Sequence, residues 1–558
     1  MSPPDATIVD ATLPDAPPPD VLVSPARHPL FAGVTVTSLG TLLSRVLGVL
    51  RESAAAGLFG LSKDGVMDAY AVAFRIPNLF RRLFGEGAMT ASYLPVLAAD
   101  LARDRRAAWK LVSVAMTTLT AALVLLVLAA EGICGLLQLA YGELPGMRLV
   151  LGLTAVMLPY TVLICGAALT SATLQALGEF SLPAIAPAVL NLCWLIGAWF
   201  IAPRVSSNIQ TQSYVMAGCV LVSGVLQWLV QMPALRRHGF RFDLDFAASR
   251  EAIGRVIRAM APTTLGLAVT QINTLMDSLL ARGLAATPGG PDTIGWLGGV
   301  RYPLEQGAAA AVWYGERIYQ FPLGLLGIAV ATEMFPLLSS HAARGEHARV
   351  GADLTLGLRL VFFGAMPAAA GLFLLAEPIV RLLLEHNNFT HADTLRAAAM
   401  IAAYSAGIWA YCAGPVLVRG FYAVGDRVTP LRVGMLAVAL NLAMNLVLIW
   451  VLGELALAVS TATAASFQVI LLVWAFSRSR YPLAWGLLRG TIARTVAATA
   501  LMSAAVWSVL QFLPPGTGFA NAAVRVAVPL AAGGATYWAA FWLMRGPELR
   551  MLRGRLPE

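Results

Sequence analysis

The sequence predicts an all-α polytopic membrane protein with about fourteen transmembrane helices, arranged as two parallel six-helix lobes plus two extra C-terminal helices. Three observations predict it. The 558 residues are 58% hydrophobic and 12% charged, where an average soluble domain carries roughly 25% charge, and the mean hydropathy is +0.72. Apolar stretches such as 111–130 and 433–452 recur along the chain, each long enough to cross about 30 Å of hydrocarbon at 1.5 Å per residue. The third observation is an internal repeat, described below. In hydrocarbon every backbone polar group must be satisfied within its own segment or by a closed barrel, and stretches of this length point to helices.

Taken in order, residues 1–29 are a different material. Pro3, Pro4, Pro14, Pro17, Pro18, Pro19 and Pro25 interleaved with Asp5, Asp10, Asp15 and Asp20 predict a disordered tail without chemistry. A secretory leader would be basic, so the first apolar segment is expected to stay as helix 1. Spans are then expected near residues 42, 80, 120, 160, 192 and 223 for an N-lobe over 30–235. A basic linker covers 236–256. Spans near 270, 323, 365, 407, 441 and 466 form a C-lobe over 257–477, and two more near 502 and 532 lie in 478–558 with a basic tail.

Lysine and arginine collect after the even-numbered spans. Arg103, Arg105, Arg106 and Lys110 follow the second, and Arg236, Arg237, Arg241, Arg250, Arg255 and Arg258 follow the sixth. Both termini are therefore expected in the cytoplasm. The formal charge of +9 is spread over these loops, which argues for a topology signal and against a nucleic-acid partner. The five cysteines and six histidines have neither pairing nor metal-ligand spacing, and there is no Walker loop, so no metal, cofactor or ATPase chemistry is expected.

The repeat rests on three landmarks. Arg75-Ile76-Pro77 running to Pro95 answers Arg317-Ile318-Tyr319 running to Pro336, at an offset of about 242. Gly178-Glu179 with Pro183 answers Gly425-Asp426 with Pro430, and Leu190-Asn191-Leu192 answers Leu440-Asn441-Leu442. An even number of spans between the copies makes the halves parallel repeats, an architecture suited to rocking about a central site.

Arg45, Arg51, Arg75, Arg81 and Arg82 lie in otherwise apolar sequence, and an arginine at mid-bilayer costs roughly 3 kcal/mol on insertion scales. They imply a cavity, counter-ions or an anionic substrate. Gly40, Ser44, Gly48 and Arg51 share one helical face, small enough for a neighbour or ligand to approach. Asp68, Arg75, Arg82 and Glu86 form a polar stripe if the helix continues through Pro77, which tends to kink it. Arg75, Arg82 and Glu86 also fit plain intramembrane ion pairing. For Arg45, Arg51, Arg81 and Arg317, bidentate binding of a diphosphate is the better reading. Asp277, Asn441 and Asn445 make a cation site conceivable, although asparagines that bridge helices have the same pattern.

The runs Ser44-Arg45-Val46-Leu47-Gly48-Val49-Leu50-Arg51, Asp68-Ala69-Tyr70 and Phe74 through Ala88 closely resemble the signature of the MurJ (MviN) lipid II flippases of the MOP exporter superfamily. Gln271 to Ala281, Glu316 to Pro322 and Arg419 to Ala423 with Thr429-Pro430 are similar to the same family. The resemblance implies a bacterial inner-membrane transporter, not an enzyme. It would flip lipid II, the undecaprenyl-diphosphate-linked peptidoglycan precursor, from the cytoplasmic to the periplasmic leaflet for cell-wall synthesis. It further implies a cationic central cavity and a groove for the lipid tail formed by helices 13 and 14. By motif position Arg45, Arg51, Arg81 and Arg317 would hold the head group, supported by Ser44, Gly48, Arg75, Pro77, Asn78 and Arg82. Asp68 would couple the lobes and Glu86 would position its neighbours. Gln320 departs from the pattern, standing where relatives often have glutamate. Membrane lipids and other cell-wall synthesis proteins are the expected partners. Membrane potential, sodium or protons are the candidate driving forces. The rivals are a flippase for another polyprenyl-diphosphate glycan, a multidrug or organic-cation antiporter of the same superfamily, a membrane glycosyltransferase or phosphatase, and a cell-wall scaffold. An antiporter for cations would be expected to carry acidic residues in its cavity, and an enzyme would need a carboxylate cluster that the loop acids Asp243, Asp245 and Glu251 do not make.

Overall fold

The structure, a computed structural model, describes residues 27–548 except 145, 289, 515 and 517. The expected tail 1–29 therefore lies outside the described residues but for its last three, and so does the basic tail beyond 548. The first half comprises α1 (Arg27–Phe59), α2 (Val66–Phe80), α3 (Ala88–Arg103), α4 (Arg105–Tyr141), α5 (Met147–Met157), α6 (Tyr160–Ala176), α7 (Ser181–Ile196), α8 (Ala202–Val205), α9 (Ile209–Leu229) and α10 (Met232–Arg237). The second half comprises α11 (Phe246–Gly283), α12 (Ala308–Pro322), α13 (Ala329–Ala343), α14 (His347–Leu374), α15 (Ala376–Leu383), α16 (His391–Ser405), α17 (Ile408–Ala423), α18 (Val428–Leu452) and α19 (Leu455–Ser477). Then come α20 (Trp485–Phe512) and α21 (Phe519–Leu543).

Among the described residues, 10 helices are long and apolar enough to span a membrane, or 11 if the bent pair α16 and α17 is one span. The expected fourteen is not reached on that measure. The difference lies in α1, in the stretch 66–103 and in α11. Each is long enough to cross at 1.5 Å per residue.

The repeat appears in the backbone. Helix α2 and helix α12 are both 15 residues long and begin 242 residues apart, at Val66 and Ala308. Each follows a left-handed glycine, Gly65 (φ 64) or Gly307 (φ 97), a conformation that a β-carbon would oppose. Each also runs straight into a widened π-helical segment, Arg81–Gly87 or Leu323–Ile328. A proline near the end of each helix, Pro77 or Pro322, removes one backbone donor, and the turn that follows relaxes to wider pitch. Helix α2 is thus continuous through Pro77, and the irregularity predicted there falls one turn later. Gly178 and Gly425, both left-handed, close α6 and α17 in the same way.

The lobes meet at one end of the molecule. The Asp68 carboxylate accepts the backbone N–H groups of Gly307 (2.7 Å) and Ala310 (2.8 Å) at the start of α12. Lys63 Nζ donates to Asn388 Oδ1 (2.8 Å), Asn388 Nδ2 donates to the Leu58 carbonyl (2.8 Å), and Ser62 Oγ donates to Asp393 (3.2 Å). Helices α20 and α21 pack on α14 through Phe363, Tyr537 and Phe541. Glu548, fully buried, ties them down by accepting from Arg359 (3.2 Å) and Arg494 (2.8 Å).

Candidate functional site

Two cavities share a wall at the lobe interface. One is polar, about 640 Å³, and Arg75, Arg81, Arg82, Arg317, Gln271 and Gln468 are among its lining. The other is a groove of about 800 Å³ with an overwhelmingly apolar lining, including Leu325, Leu372, Val506, Leu530 and Trp538, with Arg45 and Arg51 on its wall. Arg317 and Gln320 line both. Seven residues separate Asp68 from Arg75 and thirteen separate it from Arg81, which places these arginines about 10 and 20 Å along the helix from the end where the lobes touch.

The floor of the polar cavity is built by α12. Trp313, Glu316 and Arg317 stand at i, i+3 and i+4 and so share a face. Trp313, 3% exposed, has the Arg317 guanidinium 4.1 Å from its ring centroid and that of Arg75 at 5.6 Å. Arg75 and Arg317 are equivalent positions in the repeat, so the two lobes converge on one indole. Arg75 Nη1 pairs with Glu316 (2.8 Å), while among the described residues its Nε and Nη2 are buried without a hydrogen-bond partner. The Trp313 Nε1–H donates to Glu52 (2.8 Å). Glu52 is paired with Arg51 and lies 3.6 Å from Arg317 Nε.

The predicted residues therefore divide. Arg51, Arg75 and Arg317 come together around Trp313, with Glu52 and Glu316 as built-in counter-ions. Arg81 donates to Asn78 (3.0 Å) and Arg82 to Gln271 (3.4 Å), both on the wall of the polar cavity. Arg45 stands apart from this group on the groove wall, where a side chain at Gly324 would meet its guanidinium at 3.3 Å. The Gly40, Ser44 and Gly48 face packs chiefly within the first lobe. A β-carbon at Gly40 would touch Ala184, and the Ser44 carbonyl accepts from Asn191 (3.0 Å). Asp68 points across to the second lobe and caps α12, so the stripe it shares with Arg75 and Arg82 is the interlobe face of α2. The Glu86 side chain lies outside the described residues. Gln320 offers no carboxylate, but Glu316 supplies one a turn earlier.

Glu52, Glu316 and Trp313 are the residues that sequence reasoning passed over. The available signal was the spacing of Trp313, Glu316 and Arg317 on one helical face, combined with the offset that makes Arg75 and Arg317 equivalent. A second polar cluster joins Asp277 of α11 to α18 and α19. Asn445 Nδ2 donates to Asp277 (2.6 Å), Thr461 Oγ1 donates to it (3.3 Å), and Asn441 and Thr461 side chains meet at 3.1 Å. Asp277, Asn441 and Asn445 are all buried.

A sequence model described as lipid II flippase MurJ matches residues 55–524. The protein named lipid II flippase MurJ from Burkholderia cenocepacia is 31% identical over 495 residues, covering 87% of this chain and 91% of that protein. The probable lipid II flippase MurJ of Vibrio cholerae is 30% identical, covering 81% of this chain and 83% of its own length. Among solved structures, one titled lipid II flippase MurJ, inward closed conformation, shares the fold with a TM-score of 0.73 at 20% identity, over 91% of this chain and 98% of the other. An inward-facing multidrug resistance MATE family transporter of the MOP superfamily also shares it, with a TM-score of 0.63 at 13% identity, over 80% of this chain and 98% of the other. With the match to the family running through both lobes and on into α21, the chain belongs to the lipid II flippase MurJ family and is a transporter.

Proposed function

We propose that this protein flips lipid II between leaflets of the bacterial cytoplasmic membrane for peptidoglycan synthesis, with both termini in the cytoplasm. The carrying observation is the shared wall: an arginine-rich cavity opposite an apolar groove, with Arg317 in both. A polyprenyl diphosphate has this division, a doubly charged head on a long hydrocarbon. The two unpartnered nitrogens of buried Arg75 support it further, because buried donors without acceptors are rare and phosphate oxygens would satisfy them. Four arginines on a cavity wall disfavour an organic-cation cargo, which would meet repulsion there.

In this reading the empty transporter holds its cations on Glu52 and Glu316, which act as stand-ins for phosphate. The diphosphate displaces them, and the released carboxylates and recruited guanidinium groups change the balance of contacts across the lobe interface. A ligand shifts a two-state equilibrium only by its differential affinity, and these exchanges are where that difference arises. Helices α20 and α21 keep the hydrocarbon beside the lobes while the head group crosses. For the return step, the cluster of Asp277, Asn441, Asn445 and Thr461 offers one carboxylate with neutral oxygens, a donor set suited to sodium. Replacing Arg51 or Arg317 with alanine tests the assignment: the variants insert normally and lose complementation of a strain depleted of its lipid II flippase. Normal growth of such a strain on either variant would refute it.

A further inference from the structure

The segment between α10 and α11 is an extended strap, and its side chains alternate in an unusual sense. Asp243 and Asp245 face the protein, while Phe242, Leu244 and Phe246 face outward and are 62%, 46% and 54% exposed. A strand on an aqueous surface would have the opposite pattern, apolar in and polar out.

The strap is fastened to α4 at four points. Arg105 donates to the His238 carbonyl (2.7 Å), Phe240 sits edge-on to Trp109 at 5.5 Å, Lys110 pairs with Asp245 (2.9 Å), and the Asp243 N–H donates to Ser113 Oγ (3.0 Å). Ser113 is eight residues into α4, about 12 Å along its axis, and Leu111 opens the apolar run of that helix. The polar anchors therefore hold the strap beside the start of that apolar run. Around it Arg236, Arg237, Arg241 and Arg250 are exposed, and among the described residues none of the four forms an ion pair.

We propose that residues 238–246 are an anchor for anionic phospholipid: Phe242, Leu244 and Phe246 enter the edge of the acyl layer, and the four arginines bind the anionic head groups. An outward apolar row flanked by cations is the arrangement that interfacial segments use to combine apolar burial with attraction to anionic lipid. Because the strap joins the lobes, the anchor holds their connection at a fixed depth while they rock. It is independent of the cargo, and only the choice of leaflet rests on the orientation proposed above.

The test uses the full-length protein with its five native cysteines replaced by alanine, carrying a nitroxide at Phe242→Cys or Leu244→Cys. Arg349→Cys, exposed in the first turn of α14, is the water-side standard. In vesicles of phosphatidylethanolamine with phosphatidylglycerol, labels at 242 and 244 should collide with oxygen at least threefold more than with a water-soluble nickel chelate, and the label at 349 should show the reverse. In phosphatidylcholine vesicles, or with Arg236, Arg237, Arg241 and Arg250 all changed to glutamine, the labels at 242 and 244 should move toward water. Nickel collisions at 242 and 244 equal to those at 349 would overturn the proposal, placing the strap in water. A depth unaffected by lipid charge and by the glutamine changes would overturn it too, leaving apolar contact without head-group recognition.

Discussion

At the scale of single residues, the site is an argument about what a buried arginine does without its ligand. Arg75 and Arg317 flank Trp313, and Glu52 and Glu316 neutralise part of their charge. A cation–π contact is worth about 0.5–2 kcal/mol depending on desolvation, so Trp313→Leu should weaken binding of lipid II by roughly 2- to 30-fold. Trp313→Phe should retain most of it, since the ring remains and only the N–H to Glu52 is lost. Titrating the solubilised variants with a short-chain lipid II analogue checks this, and equal affinity in both variants would show that the indole is only packing. The arginines were legible in the sequence because charge in an apolar run stands out. Their partners were not: the structure sets Glu52 against Arg317 as well as against its neighbour Arg51, and Glu316 against Arg75, and the contacts between helices are ones that no spacing along one helix reveals.

At the scale of elements, α2 and α12 are the pair that matters. They are repeat equivalents of equal length, and Asp68 of the first caps the second, placing a carboxylate where four backbone N–H groups would otherwise lack partners. Asp68→Ala should cost about 1–2 kcal/mol of that cap and shift the lobes toward separation at this end by roughly tenfold in population. Spin labels at Ser207 and Ala392, on opposite lobes near the contact, would report it as a growing long-distance component in pulsed electron resonance; an unchanged distance distribution would mean that Asp68 only stabilises the fold. The equivalence of these helices was visible as an offset between short motifs. The widened turns after Pro77 and Pro322 were visible only as a proline, because sequence shows that a backbone donor is missing but not which turn absorbs the loss.

For the whole molecule, two lobes related by the repeat enclose the polar cavity, and α20 with α21 adds the apolar groove. Composition and span spacing were enough to predict this architecture, and the family motifs carried the expected cargo. If the Asp277 cluster takes sodium, the ion should raise the thermal stability of the wild-type protein in proportion to the logarithm of its concentration above Kd, and Asp277→Asn should remove that dependence. Equal sodium dependence in both would place the ion elsewhere. The central claim is that guanidinium groups between the lobes carry a diphosphate across the bilayer. Its most direct test is a leaflet-resolved assay, with purified protein in vesicles loaded with fluorescent lipid II and a membrane-impermeant reagent that destroys fluorophore on the outer face only. The account predicts complete bleaching with the wild-type protein and protection of about half the signal with Arg317→Ala, as in protein-free vesicles. Complete bleaching with both proteins would contradict it.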